Sequence, residues 1–120
     1  MAVKKLLNYV DGEFVESKTS QWLDIKNPAT GQILSQAPLS TAAEMDQAVA
    51  AANNAYLDWR NTPPVARARY CHRMISLLEE NFDEMSKVQT REHGKTIDES
   101  RGETRRAIEM WEVAPGIHSL

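Results

Sequence analysis

Few side chains in this sequence have types and spacings that could do chemistry, and the most promising is an arginine. Arg106 heads a row with Met110, Val113 and Ile117 at helical spacing. A guanidinium at the edge of an apolar face needs a counter-charge, because an unpaired charge taken out of water is costly. Its planar fork suits a carboxylate held by two hydrogen bonds. That carboxylate is either structural, with Glu103 one turn earlier as the nearest candidate, or it belongs to a ligand.

The other candidates are weaker. Gly94-Lys95-Thr96 imitates the end of a phosphate-binding loop, but Gln89 stands where that loop needs its first glycine. A helix, not a strand, precedes it, so a helix C-cap followed by a short loop is the better reading. Cys71 lies in line with Ala68, Ile75 and Leu78, and a thiol among apolar neighbours packs as a small hydrophobe and is inert. His72 projects to another part of the same helix. His93 and His118 have no second ligand at metal-binding spacing, so no metal is expected. H-E-x-x-H, C-x-x-C, G-x-S-x-G and G-x-G-x-x-G patterns do not occur.

The elements that must position these groups are legible from turns and periodicity. Asp11-Gly12 between Leu7–Val10 and Phe14–Glu16 is a hairpin signal. Leu23-Asp24-Ile25 alternates as a half-buried strand, Asn27–Gly31 makes a turn, and Ile33–Ala37 returns as a second strand. Thr41 with Glu44 forms a capping box, which starts a helix carrying Met45, Val49, Ala52, Tyr56 and Trp59. Its alanines allow neighbours to approach closely. Pro64 suits the first turn of a second helix with Val65, Ala68, Cys71, Ile75, Leu78 and Phe82 in a stripe. A continuation or third helix runs through Met85 and Val88 to Gly94. Asp98 is expected to cap the last, which reaches Val113.

That last helix is apolar on two sides. Ala107, Ile108, Trp111 and Ala114 form one stripe; Met110, Val113 and Ile117 form the other. A helix of this kind packs on two sides, yet no run of buried parallel strands appears for these helices to cover. The pattern reads as the opening section of a larger α/β protein, with hairpin strands over residues 1–40 and three to four helices over 41–120.

Composition narrows the function classes. A net charge of −3, with acids interleaved among the bases, disfavours nucleic acid as a partner. A single cysteine excludes an internal disulfide and a thiolate-rich zinc site. No apolar run approaches the roughly 20 residues of a membrane span, and the first apolar run breaks at Asn8, too soon for a signal peptide. A cytoplasmic setting fits these observations.

Taken together, the motifs resemble the aldehyde dehydrogenases. Tyr9–Phe14 is similar to that family's opening hairpin, Asn27–Ile33 to its N-P-x-T-G-x segment, and Trp59 with Pro63, Arg67 and Arg69 to its W-x-x-x-P region. Arg91–Thr96 is similar to its E-x-G-K segment. Glu92 through Gly102-Glu103, Arg106, Glu109 and Gly116-Ile117 most resembles the coenzyme A-acylating methylmalonate-semialdehyde dehydrogenases. Met110 and Trp111 depart from the small or β-branched residues usual in that branch.

The resemblance implies an α/β parent of which residues 1–120 are the incomplete N-terminal part of the NAD-binding domain. It implies oxidation of malonate or methylmalonate semialdehyde, with NAD and coenzyme A as cofactors, by a homo-oligomeric enzyme. The nucleophilic cysteine, the oxyanion donors and the nucleotide-binding glycines are expected beyond Leu120, so the chain itself should hold no catalytic residue, bind no cofactor and be inactive and poorly stable alone. In this branch an arginine of the last helix is implicated in holding the substrate carboxylate, and Arg106 is the matching position. Two competing readings are a hydrolytic aldehyde dehydrogenase of another branch and a stand-alone helical module whose apolar stripes bind a partner.

Overall fold

The structure, a computed structural model, describes residues 3–119; the side chains of His118 and Ser119 lie outside the described set, and with them the expectation for His118. The chain divides into two compact units, Met1–Asn61 and Thr62–Leu120.

The first unit opens with an antiparallel hairpin of β1 (Asn8–Val10) and β2 (Glu13–Val15), in which Asn8 pairs with Val15 and Val10 with Glu13. Asp11 and Gly12 have φ of 54° and 82°, the two positive values that the tight hairpin turn demands and that Asp-Gly tolerates. A second antiparallel pair joins β3 (Trp22–Lys26) to β4 (Ile33–Pro38), with a register irregularity at Ile25/Lys26. Between them Asn27 Oδ1 accepts from the Ala29 amide at 2.9 Å, and Gly31, at φ 72°, donates to the Asn27 carbonyl at 2.8 Å.

Helix α1 (Ala42–Trp59) follows. Its capping box forms as the sequence requires: Thr41 Oγ1 accepts from the Glu44 amide, and Glu44 Oε2 accepts from the Thr41 amide at 2.7 Å. Glu44 reaches further, accepting from the Lys18 amide at 2.8 Å and the Ser17 hydroxyl at 3.0 Å. The apolar row Met45, Val49, Tyr56 of α1 stays exposed. The half-buried side runs through Glu44, Ala48 and Ala51, and a hollow between Tyr9–Gly12 and Ala48, Ala51, Ala52 and Ala55 lies above it. Alanines lack the bulk to hold a hairpin off the helix, so they take the inner side in place of the larger residues.

The second unit is helical. Helix α2 (Pro64–Glu80) starts on Pro63-Pro64 and ends at Asn81, whose side chain bonds back to the Leu77 carbonyl at 2.8 Å. Helix α3 (Phe82–His93) is therefore a separate element, not a continuation, and Gly94 closes it in the left-handed conformation at φ 85°. Helix α4 (Ile97–Val113) runs into a 3-10 segment, Ala114–Ser119. Asp98 is not its cap. Thr96 is, in a second capping box with Glu99, because threonine's hydroxyl reaches the Glu99 amide while Glu99 returns to the Thr96 amide at 2.9 Å. Among the described residues no helix is long and apolar enough to cross a membrane.

Glu44 yields a pH prediction. Hydrogen bonds from the Thr41 amide first, then from the Lys18 amide, lower its pKa from 4.5 to about 2. A carboxyl depressed in the folded state stabilises fully above the unfolded value, and that contribution is lost as pH falls from about 4.5 towards 2. Helical signal in the chain should therefore fall across that window in far-ultraviolet circular dichroism. In Glu44→Gln this pH dependence should be weaker.

Candidate functional site

The site is built on how α4 is turned. Ile108 is the one large apolar side chain fully buried among the described residues. One and two turns before it lie Thr104 and Ser100, also buried, so the inner row of α4 is Ser100, Thr104 and Ile108. The expected stripe of Ala107, Ile108, Trp111 and Ala114 thus holds only in part: Ala107 is exposed, Trp111 is 37% exposed and Ala114 is half-buried. Hydroxyls take the rest of the seam. Ser86 Oγ of α3 lies 3.1 Å from Thr104 Oγ1 and donates to the Phe82 carbonyl at 2.8 Å. Thr104 donates to the Ser100 carbonyl at 3.0 Å, and Thr90 meets Ser100 hydroxyl to hydroxyl at 2.8 Å. No buried side-chain nitrogen or oxygen among the described residues is left without a partner. These small polar residues escaped the sequence reading, which followed apolar periodicity; the i, i+4 spacing of Ser86–Thr90 and Ser100–Thr104 was the available signal.

This orientation sends the charges of α4 to defined places. Arg105 makes a two-bond fork with Glu79, with 3.2 Å between Nη2 and Oε2, and lies 4.9 Å from the Phe82 ring centre. The Glu79 hydrogen bond raises its pKa further. Arg101 approaches Asp83 at 3.4 Å. On the other edge, Glu103 accepts from Lys95 Nζ on one carboxylate oxygen and from Gln89 Nε2 on the other. Lys95 is largely covered, with its side chain 14% exposed, and its hydrogen bond holds the Glu103 carboxyl below the usual range.

Arg106 lies about 200° around the helix from Thr104, nearly opposite the buried row. Neither Glu103 nor Glu109 makes an ion pair with it among the described residues. The structural partner that the sequence offered, Glu103, is taken by Lys95 and Gln89. Glu109 follows Arg106 in the less favourable order for an intrahelical pair. Arg106 lines an open hollow of about 410 Å³ with His93, Lys95, Glu99, Gly102 and Glu103. Gly102, one turn earlier, puts no side chain into that hollow, and a Cβ there would meet nothing within 4 Å. The row that Arg106 heads is open, with Met110 70%, Val113 62% and Ile117 69% exposed.

The remaining candidates do not join this site. Gly94 serves as a C-cap, and Lys95 is committed to Glu103, so Gly94-Lys95-Thr96 forms no phosphate cradle. At the start of α4 the capping box takes the Thr96 and Glu99 amides. Cys71 is half-buried and free, and His72 is exposed. No group of three His, Cys, Asp or Glu among the described residues converges to hold a metal.

The sequence matches the model described as the aldehyde dehydrogenase family over residues 14–119. It is 45% identical over 118 residues to a malonate-semialdehyde dehydrogenase of Listeria monocytogenes serotype 4a (strain HCC23), covering 98% of this chain and 24% of the relative. The crystal structure of a protein from Sinorhizobium meliloti 1021, assigned as a methylmalonate-semialdehyde dehydrogenase and complexed with NAD, is similar at TM-score 0.93 and 34% identity. It is covered to 24%, with 98% of this chain aligned. The methylmalonate-semialdehyde dehydrogenase of Oceanimonas doudoroffii gives TM-score 0.88 at 37% identity, covering 99% of this chain and 24% of that one. The chain thus spans about a quarter of the length of the relatives it matches.

Two substitutions test the site's support. Thr104→Val should remove the hydroxyl link at nearly constant shape and cost about 1 kcal/mol, read as a lower urea midpoint. Gly102→Ala should raise stability by about 0.5–1 kcal/mol, since helix propensity improves and nothing lies in the way.

Proposed function

The chain belongs to the aldehyde dehydrogenase family, and from that premise we propose that it is the N-terminal part of the NAD-binding domain of a coenzyme A-acylating (methyl)malonate-semialdehyde dehydrogenase. The observation that carries the substrate class is the state of Arg106. It is the arginine of α4 whose charge no described acid takes, and it faces an open hollow. Malonate and methylmalonate semialdehydes have a carboxylate at one end and an aldehyde at the other. A guanidinium fork fixed on a helix holds the first and thereby sets the distance and direction of the second.

In this reading Arg106 is a substrate-binding residue and supplies no reacting atom. The names of the relatives, malonate- and methylmalonate-semialdehyde dehydrogenases, support an acidic semialdehyde. The Sinorhizobium meliloti protein's complex with NAD supports that cofactor for the whole protein. We assign the binding of NAD and coenzyme A, with the cysteine nucleophile and the oxyanion donors, to the rest of the whole protein. The cytoplasm and a homo-oligomeric assembly complete the proposal.

Without those parts the 120-residue chain should be inactive. NAD-dependent aldehyde oxidation by the purified chain would overturn that assignment. In the whole protein, malonate semialdehyde should be oxidised with NAD, and coenzyme A should be acylated; release of a free acid with no effect of coenzyme A would point to the hydrolytic branch instead. Arg106→Lys keeps the charge and loses the fork. It should raise KM for the acidic semialdehyde about tenfold, equivalent to about 1.4 kcal/mol, and an unchanged KM removes Arg106 from the substrate site.

A further inference from the structure

Arg106 is free to take a ligand only while its own helix leaves it unpaired, and its helix contains the obvious competitor. Glu103 stands three residues before Arg106, in the order favourable for an intrahelical ion pair. It does not make that pair. Lys95, from the loop between α3 and α4, holds one of its carboxylate oxygens, and Gln89 of α3 holds the other. Glu103, Lys95 and Arg106 line one hollow, so the competitor is restrained inside the site it would otherwise block.

We propose that Lys95 and Gln89 act as a clamp that keeps Glu103 from neutralising Arg106, making Lys95 a positioning residue for carboxylate recognition. Lys95 suits the task because it is the most covered member of the chain's described ion pairs, with its side chain 14% exposed against 43% or more for the others. Its ammonium cannot easily exchange Glu103 for solvent. Gln89 adds a neutral donor on the second oxygen, so each carboxylate oxygen of Glu103 is held from α3 or its loop and the group is oriented away from a fork with Arg106. The functional part of this inference rests on the carboxylate reading of Arg106; the clamp itself does not.

The test has two arms that separate these. In the 120-residue chain, nuclear magnetic resonance follows the Glu103 carboxyl and the Arg106 Nε–H during an acid titration. In the parent sequence the Arg106 signal should be indifferent to Glu103. In Lys95→Met it should move with the Glu103 titration, and in Lys95→Met/Glu103→Gln that movement should vanish. An Arg106 signal indifferent to Glu103 in Lys95→Met overturns the clamp. Should that variant give a collapsed spectrum, Gln89→Leu, which removes the other restraint, is read by the same criterion.

In the whole protein, Lys95→Met should raise the ratio of KM for the acidic semialdehyde to KM for a neutral aldehyde of similar length about threefold, the competition expected from an exposed intrahelical pair. Adding Glu103→Gln should restore the ratio. A rise that Glu103→Gln leaves in place makes Lys95 merely structural and overturns the proposal. If the spectra behave as expected while Arg106→Lys leaves KM unchanged, the clamp stands and the carboxylate reading of Arg106 falls.

Discussion

The second unit depends on the rotation of α4 about its own axis. One aliphatic side chain, Ile108, is not enough to fix that rotation by apolar burial alone. The hydroxyls of Ser86, Thr90, Ser100 and Thr104 complete the constraint, because short polar groups reach each other only when two helices lie close and in one register. A slipped register would part Thr90 from Ser100 and Ser86 from Thr104, at about 0.5–1.5 kcal/mol for each hydrogen bond lost. Dispersion and hydrophobicity tolerate a range of rotations, whereas hydrogen bonds at 2.8–3.1 Å do not.

Once that rotation is set, the charges follow by geometry. Arg101 and Arg105 fall along one edge of α4, where Asp83 and Glu79 meet them. Glu103 falls on the other, within reach of Lys95 and Gln89. Arg106 is carried to the side away from the seam, into a hollow left open by Gly102. Exposed ion pairs contribute little stability each, at about 0–1 kcal/mol. Their effect here is allocation: Glu79, Asp83 and Glu103 are taken by other groups, and Arg106 keeps its capacity for a carboxylate.

Much of the local architecture was legible because it is written in residues with distinctive backbone preferences. Asp11-Gly12 and Gly94 tolerate the positive φ their turns need, Pro64 has its φ fixed, and the Thr41–Glu44 box is a local hydrogen-bond exchange that needs no tertiary contact. The cap of α4 was misplaced by two residues because Thr96 and Asp98 are both competent caps, and the reciprocal bond with Glu99 decided between them. The inner sides of α1 and α4 were harder to read. Apolar periodicity pointed to Met45, Val49 and Tyr56 on the first helix and to Ala107 on the last. The half-buried and buried rows instead run through Ala48 and Ala51, and through Ser100 and Thr104. Close approach favours small side chains, and periodicity weighted by hydrophobicity overlooks them.

The sequence by itself determined the hairpin and turn positions, the Thr41–Glu44 cap, the helix stop at Gly94 and the presence of an arginine at the head of an apolar row. Each of these depends on interactions within about four residues. It left open whether Glu103 or a ligand would partner Arg106, since i,i+3 spacing permits the intrahelical pair without requiring it. Only the tertiary structure decided that Glu103 is occupied, because Gln89 and Lys95 are 14 and eight residues away in the chain and meet it only after α3 and α4 have packed.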